Sequence, residues 1–269
     1  FGFNQNTHRI AVGEPLGQFY GYITEGLYQV DDFNYDASTQ TYTLKDGVPY
    51  HGDKGQIRPG MWKFKNLTGD DNVIDENDKT VIGNAQPKFY GGLNNSFTYK
   101  GFDLSIFLTF SYGNEVLNAT KLVTSKVGSL NYNALDVMNS SNRWMTINTE
   151  GEKVTDPGEL AVLNAGKTVA VYHDAQQGDN YIHSWAVEDA SYLKLSNVTL
   201  GYTFPKNLIA RVGLKNLRLY ATGNNLLTWT KYSGFDPEVS TMKSGLTPGV
   251  DFGAYPLSRS FIFGLNVAF

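Results

Sequence analysis

Oxygen-bearing side chains crowd residues 66–78, where they could coordinate a hard cation. Asp70, Asp75 and Asp78 are carboxylates spaced along this segment, and Asn66 and Thr68 add further oxygen donors. Calcium takes about six to eight oxygen ligands around a tight turn, with a carboxylate closing the loop. The same residue types also form Asx turns, which satisfy nearby backbone N–H groups. The segment therefore predicts either a calcium site or a polar turn, and both interpretations stay open.

The sequence contains no motif for catalysis or for binding a transition metal. It contains no cysteine, which excludes a thiolate nucleophile, a disulfide or a thiolate metal site. No two histidines stand two, three or four residues apart, and neither an HExxH nor a GxSxG motif occurs. The histidines are His8, His51, His173 and His183. Acidic pairs such as Asp31 and Asp32 lie in predicted loops, where carboxylates are usually solvated. We therefore expect no enzyme activity.

Alternation of apolar and polar residues with period two is the clearest structural signal. It is strongest in Phe102–Tyr112, where every even-numbered residue is apolar or aromatic. Further strands are predicted at residues 89–99, 192–204, 217–227 and 260–269, with a weaker sixth at 17–28. Lys100 and Gly101 separate the first two of the long strands, which predicts a tight hairpin. The sequence therefore predicts an all-β protein.

Short and long connections alternate along the chain. Residues 100–101 and 205–215 are short links, whereas 29–88, 113–190 and 228–258 are long. A membrane β-barrel with short turns at one rim and long extracellular loops at the other has this layout. A soluble β-sandwich also shows one-sided alternation and is the alternative. The polar face favours the barrel, because it carries Ser, Thr, Asn and Gly with few charged residues.

Strict alternation across a barrel wall sends one set of side chains to lipid and the other to the lumen. The expected lipid-facing residues are Leu104, Ile106, Leu108, Phe110, Phe261, Phe263, Leu265 and Val267. The expected lumen-facing residues are Ser105, Thr109 and Asn266. The net charge of −4 and the absence of a basic stripe argue against nucleic-acid binding.

Several segments resemble the C-terminal part of the SusC/RagA family of TonB-dependent outer-membrane transporters of Bacteroidota. The resemblance covers nearly the whole chain and rests on the order and spacing of its motifs. They are GEPLGQFYGY at 13–22, Gly26 to Tyr28, DENDKTVIGN at 75–84, PKF at 87–89, YKGFDLS at 99–105, NRW at 142–144, YLKLSNVTLGY at 192–202, GNNL at 223–226, Tyr232 to Pro237, and YPLS at 255–258.

This resemblance implies a protein larger than the chain. Members resemble plugged barrels of about 22 strands, opened from the periplasm by TonB and covered by a SusD-like lipoprotein. Residues 1–269 would then be the C-terminal portion of the barrel, with about six strands and without the plug or the earlier strands. The alternating aromatics that end at Phe269 resemble the assembly signal of outer-membrane proteins. The implied localisation is the outer membrane, and the implied cargo is an oligosaccharide or a peptide.

Site residues implied by the family lie in the long loops. Many members carry an EF-hand-like calcium loop, which residues 66–78 resemble, although Asn66 and Thr68 depart from the pattern. Four tryptophans fall outside the strand centres, and Trp229 suits a membrane-interface girdle. In a sugar transporter, Trp144 and Trp185 would be positioned to contact cargo or the lid. Loop 113–190 is expected to contribute most to the contact with a SusD-like partner. A passive porin-like channel is the alternative within the membrane class.

Overall fold

The computed structural model describes residues 6–69, 71–125, 133–171, 181–241 and 244–269. In chain order the strands are β1 (Gln18–Gly21), β2 (Thr24–Leu27), β3 (Phe33–Asp36), β4 (Thr41–Leu44), β5 (Tyr50–His51), β6 (Trp62–Phe64), β7 (Val73–Ile74), β8 (Thr80–Asn84), β9 (Phe89–Tyr99), β10 (Phe102–Tyr112), β11 (Glu115–Asn118), β12 (Val187–Asp189), β13 (Tyr192–Thr203), β14 (Asn216–Thr230), β15 (Val250–Asp251) and β16 (Ser260–Ala268).

Helices are short and lie in the connections. The α-helices are α1 (Ala119–Thr124), α2 (Pro157–Leu163) and α3 (Lys206–Ile209). Single 3₁₀ turns occupy Val30–Asp32, Lys54–Gln56, Glu76–Asp78, Asp136–Met138, Ser184–Ala186 and Ala210–Val212. Within the described ranges, none of these helices has the length and apolar character needed to cross a membrane.

Five long strands form one antiparallel sheet in the order β9-β10-β13-β14-β16. These are the five strongly alternating segments of the sequence, and their predicted positions are confirmed to within a few residues. Tyr99 pairs with Phe102 across the predicted hairpin. Lys100 and Gly101 both have positive φ angles, of 47° and 88°. Two consecutive left-handed residues make the type I′ turn that matches the twist of the flanking strands.

The register places most apolar residues of the five strands on one face of the sheet, with Phe107 and Ile262 on the other. Leu104 pairs with Phe97 and Leu200, and Leu219 pairs with Leu265. Directly paired residues point to the same side of a sheet, so these side chains form one continuous band. The band is exposed, with Phe263 at 79% and Phe97 at 58%. A soluble sandwich would bury this face against a second sheet, and no sheet formed by the described residues covers it.

The predicted sixth strand, residues 17–28, does not join this sheet. It divides into β1 and β2, which pair instead with β8 and β6. Gly26 lies within β2 and has a φ of 98°, where the pairing of β2 with β6 is irregular. Phe19, Tyr22 and Leu27 are buried, whereas Glu25 and Gly26 are exposed, so the segment does not present one exposed apolar face like the long strands. The sequence prediction is therefore wrong here, because weak alternation does not specify which sheet a segment joins.

All the long connections meet at one end of the sheet. The 100–101 and 205–215 links lie at the opposite end, because consecutive antiparallel strands turn at alternate ends. The described parts of residues 6–88, 113–191 and 231–259 fold together into a second region, here called the loop body. One of its cores draws on all three segments: Phe19, Leu117, Ala119, Leu122, Ile182, Ala186 and Val250. The described parts of the long loops pack on one another and carry short strands of their own.

An ion pair crosses one strand on the polar face of the sheet. Arg218 of β14 donates from Nε to Asp103 Oδ1 of β10 at 3.0 Å, although β13 lies between these strands. The strand between them presents Gly201, which pairs directly with Asp103. A Cβ at Gly201 would overlap both the carboxylate and the guanidinium group. Glycine is needed here because the two side chains meet over its backbone.

We expect Gly201→Val to lower the free energy of unfolding of the full-length protein by about 1–3 kcal/mol, as overpacking does. The valine should displace the Arg218–Asp103 pair, so its cost should shrink in an Asp103→Ala background. Urea unfolding in detergent of the wild type, both single variants and the double variant measures this coupling. Simple additivity of the two substitutions would contradict the bridging arrangement.

Candidate functional site

The segment after β14 is fastened to the polar face of the sheet where it meets the loop body. Lys194 of β13 is 3% exposed and forms ion pairs with Glu238 and, at 3.7 Å, with Asp236. Tyr192 donates to the second oxygen of Glu238 at 2.6 Å. A buried lysine requires such partners, because an isolated ammonium loses its hydration. Residues 236–238 therefore lie over the polar face at this end of the sheet.

A second ion pair joins three segments of the loop body. Lys121 of α1 lies 3.1 Å from Glu188 of β12. The same carboxylate accepts hydrogen bonds from the backbone N–H and the hydroxyl of Ser233, both at 2.9 Å. Burial by itself would raise the pKa of Glu188, but the Ser233 donors and Lys121 outweigh it and lower the pKa. Glu188 therefore stays ionised and ties loop 113–190 to the segment after β14.

The two tryptophans predicted to contact cargo have different surroundings. Trp144 is 1% exposed and packs directly over Gly60, so it is a core residue with no surface for cargo. Trp185 is half-buried, with the Lys121 ammonium 4.1 Å above its ring centre. Its ring also contacts Trp62 and His183. The sequence could not separate these cases, because both residues lie in the same long loop.

The described residues of the acidic segment 66–78 fold around the carboxylate of Asp78, which is fully buried. Its Oδ1 accepts from the backbone N–H groups of Leu67 and Thr68 at 2.7 and 2.8 Å. Its Oδ2 accepts from the N–H of Asp75 at 2.8 Å. Burial by itself would raise the pKa of Asp78, but these backbone donors outweigh it and hold the pKa below its usual value. These contacts are those of the polar-turn interpretation.

The same contacts bear on the calcium interpretation. Thr68 adds its hydroxyl to Asp78 Oδ1, so four donors already occupy the oxygens of this carboxylate. Asp75 caps the 3₁₀ turn that follows it and accepts from the backbone of Asn77. No group of three or more acidic or histidine side chains suited to a metal occurs among the described residues. Asp70 lies outside them. Asp78 fits calcium poorly in this conformation, and calcium binding remains a prediction.

His51 is a buried titratable group that the sequence did not single out. It is 2% exposed, and neither ring nitrogen has a hydrogen-bond partner within the described part of the chain. The rings of Phe64 and Tyr181 lie 5.0 and 5.3 Å away, centre to centre. Burial lowers the pKa of His51 to about 4. The neutral imidazole is therefore part of the loop-body core.

Two exposed aromatic residues near the fastened segment were also missed. Phe235 and Tyr255 are each 87% exposed. Asp236 accepts a hydrogen bond from the backbone N–H of Leu257 at 3.1 Å, which brings their two segments together. Their position in a glycine- and proline-rich loop, outside the alternating strands, could have indicated from the sequence that they are exposed. Unlike Trp144, both rings are accessible to a ligand.

Replacing Asp78 by Asn should loosen the 66–78 segment by about 1–3 kcal/mol, because an amide nitrogen cannot accept a backbone hydrogen bond. Hydrogen exchange at Leu67, Thr68 and Asp75 in the full-length protein measures the change. Asp71→Asn is the control, since Asp71 is exposed and accepts one bond from Val73.

The same segment should depend on pH. Because the pKa of Asp78 is lowered, the stabilisation of the segment by the ionised carboxylate should persist down to about pH 4 and disappear below it. Added calcium leaves exchange unchanged if the segment is only a polar turn.

Acidification should destabilise the loop body through His51. Its folded pKa lies below its unfolded value, so the unfolded state binds the extra proton between about pH 6.5 and 4. Protonation of His51 therefore does not affect stability above about pH 6.5. Below that pH the free energy of unfolding falls, by about 2 kcal/mol at pH 5. Hydrogen exchange of the loop body from pH 7 to 5 tests this. His51→Leu should remove this part of the pH dependence, and an unchanged profile would contradict it.

Comparison with known proteins gives whole-chain matches. The chain is 34% identical to TonB-dependent receptor P3 of Formosa agariphila over 270 residues, which is 98% of this chain and 23% of that protein. It is 30% identical to TonB-dependent receptor SusC of Bacteroides thetaiotaomicron over 224 residues, covering 81% of this chain and 18% of that receptor. The chain thus spans about a quarter or less of the length of these relatives. No family model matches it.

Solved structures share its fold. The RagAB peptide transporter superposes with a TM-score of 0.59 and 21% identity, over 94% of this chain and 22% of that one. The RagAB peptide importer in its closed-closed state gives the same TM-score with 22% identity. These matches agree with the alternating strands, the exposed apolar band and the motifs of the sequence. The chain belongs to the SusC/RagA family of TonB-dependent receptors, and its five-stranded sheet is part of the large antiparallel β-barrel of that family.

Proposed function

We propose that the protein containing this chain is an active importer of large nutrients in the outer membrane. The observation that carries this proposal is the whole-chain similarity to TonB-dependent receptors, with the apolar band on one face of the sheet. Import would be opened from the periplasm by TonB, through a part of the protein outside this chain. A plug and the remaining barrel strands would complete the wall, because unpaired backbone groups in hydrocarbon cost several kcal/mol each.

The partner that we propose is a SusD-like surface lipoprotein seated on the loop body. Support comes from the packing of all three long segments into one ordered surface at one end of the sheet. A rigid platform of loops is where binding concentrates in such scaffolds. The structural relative RagAB is a peptide transporter, which agrees with a loop surface that receives a large cargo.

For the cargo we propose an oligosaccharide or a peptide that meets the opening beside Phe235 and Tyr255. Exposed aromatic rings offer a flat apolar surface with a polar edge, which suits both sugar rings and peptide side chains. Trp185 remains a proposed contact at its half-buried edge. Calcium bound in segment 66–78 would act as a structural ion and would take no part in transport chemistry.

Growth and uptake tests address the importer itself. A strain lacking the complete gene is supplied with purified oligosaccharides or with a casein hydrolysate as the only carbon source. Loss of growth on one cargo identifies it, and a protonophore should then abolish its uptake in the wild type. Uptake that continues without the proton gradient would support the passive, porin-like alternative instead.

Removal of the exposed rings should weaken cargo binding. We expect Phe235→Ala and Tyr255→Ala each to lower the affinity of the purified full-length protein for the identified cargo by about tenfold, or about 1.4 kcal/mol. Calorimetry in detergent measures it. Val162→Ala is the matched control, since Val162 is 79% exposed on α2 of the same loop body. Equal effects of all three substitutions would exclude a specific role for the aromatic pair.

A further inference from the structure

Strand β4 has one edge that no other strand occupies within the described residues. It pairs only with β3, in the register Phe33 to Leu44 and Asn34 to Thr43. The backbone N–H of Lys45 donates to the carbonyl of Asp32 at 3.0 Å. In an antiparallel ladder this makes Phe33 and Leu44 a non-hydrogen-bonded pair. The N–H and C=O groups of Tyr42 and Leu44 therefore point away from β3, toward the open edge.

A cleft of about 420 Å³ lies along this edge. It is lined by Thr41, Tyr42, Thr43 and Leu44, and by Lys54, Gly55 and Arg58 across from them. The four β4 side chains alternate between the two faces of the hairpin, so the cleft follows the edge of the strand and does not lie on one face. At about 3.4 Å per residue, these four residues span about 10 Å. That length matches three or four residues of an extended chain.

The far wall of the cleft carries two cationic side chains, Lys54 and Arg58. Lys54 pairs with Asp46 at 2.6 Å, but the carboxylate of Asp46 is fully exposed to water. Such a surface pair contributes little, so Lys54 can exchange this partner for another carboxylate. Arg58 donates from Nη1 to the carbonyls of Gly55 and Ile57, both at 2.7 Å. These bonds fix the guanidinium group and leave its other N–H groups for a ligand.

We propose that this cleft binds an acidic peptide of the cargo in an extended conformation, as an added strand along β4. The backbone of Tyr42 and Leu44 would pair with alternate peptide residues, while Lys54 and Arg58 would hold peptide carboxylates. Strand addition recognises backbone, which suits cargo of mixed sequence. The inference rests on the proposed importer function and narrows its cargo class to acidic peptides, captured on the loop body away from the barrel lumen.

An anionic oligosaccharide would satisfy the two cations but would leave the strand edge unpaired. It lacks the regular alternation of N–H and C=O groups that the backbone of Tyr42 and Leu44 requires. The combination of an open strand edge with a basic wall therefore favours a peptide.

The experiment measures binding of a capped hexapeptide of alternating Glu and Val to the full-length protein in detergent, by calorimetry. Caps remove the terminal charges, which leaves the side-chain carboxylates as the only anions. We expect Lys54→Glu combined with Arg58→Glu to weaken binding at least about tenfold, since the charge-assisted bonds become repulsive. Lys45→Glu is the matched control, because the Lys45 side chain is exposed on the same hairpin and its Nζ donates to the Asp31 carbonyl.

Two N-methylated versions of the peptide test the strand pairing. Methyl groups on one alternate set of backbone nitrogens should abolish binding, whereas methyl groups on the other set should leave it nearly unchanged. Only alternate residues of an added strand face β4, so this asymmetry is specific to strand addition. Equal effects of the two methylated peptides would overturn the proposal.

A capped peptide of alternating Gln and Val and an oligogalacturonate complete the series. Binding of the Gln peptide as tightly as the Glu peptide would overturn the charge assignment, and tighter binding of the oligogalacturonate would overturn the peptide assignment. Hydrogen exchange of β3 and β4 in each variant confirms that the hairpin is intact. Uptake in cells distinguishes the importer function from peptide binding at β4. If the protein imports its cargo but does not bind these peptides, the proposed function stands and the inference about the cleft is wrong.

Discussion

Backbone hydrogen bonding between neighbouring strands is the constraint on which this structure depends. A surface that faces hydrocarbon has no water to satisfy N–H and C=O groups, so each must pair within the protein. The five long strands meet this rule along their shared edges, through antiparallel pairing interrupted by one bulge between β10 and β13 and one between β13 and β14. The outer edges of β9 and β16 have no strand partner among the described residues. The same register aligns the apolar residues of every strand into one band. Pairing and the apolar band are thus two consequences of one geometry.

The polar face of the sheet carries charged side chains, which the apolar face lacks. Asp103 and Arg218 meet over Gly201, and Lys194 holds Glu238 and Asp236. Both arrangements reach across the sheet or beyond it, and both use charges that would be costly on the lipid side. They give the face that borders the lumen a fixed shape near both rims of the sheet. The segment after β14 is consequently held against the polar face.

The loop body is stabilised differently from the sheet. Its strands are two to five residues long, and isolated pairs of such length are marginal in water. Its order comes from cores that draw on distant segments, with Phe19, Leu117 and Val250 in one cluster. The buried carboxylate of Asp78 and the partly buried one of Glu188 are stabilised by backbone and hydroxyl donors. His51 shows the cost of such packing, because its buried nitrogens have no polar partner among the described residues.

Sequence alone determined the long strands, the tight turn at Lys100 and Gly101, and the two faces of the sheet. These features depend on residue type at a period of two and on local turn geometry, both of which are visible without contacts. The motifs also sufficed for the family, since they occur in order along the chain.

Tertiary structure alone decided which residues of the long segments are core and which are surface. Trp144 and Trp185 are alike in the sequence, yet one is buried over Gly60 and the other is half-buried beside Lys121. Segment 17–28 has weak alternation, and only its contacts with β6 and β8 exclude it from the large sheet. The open edge of β4 likewise depends on which strands are its neighbours. Local patterns fix how a segment folds, whereas burial and pairing depend on segments up to about 230 residues away, such as Phe19 and Val250.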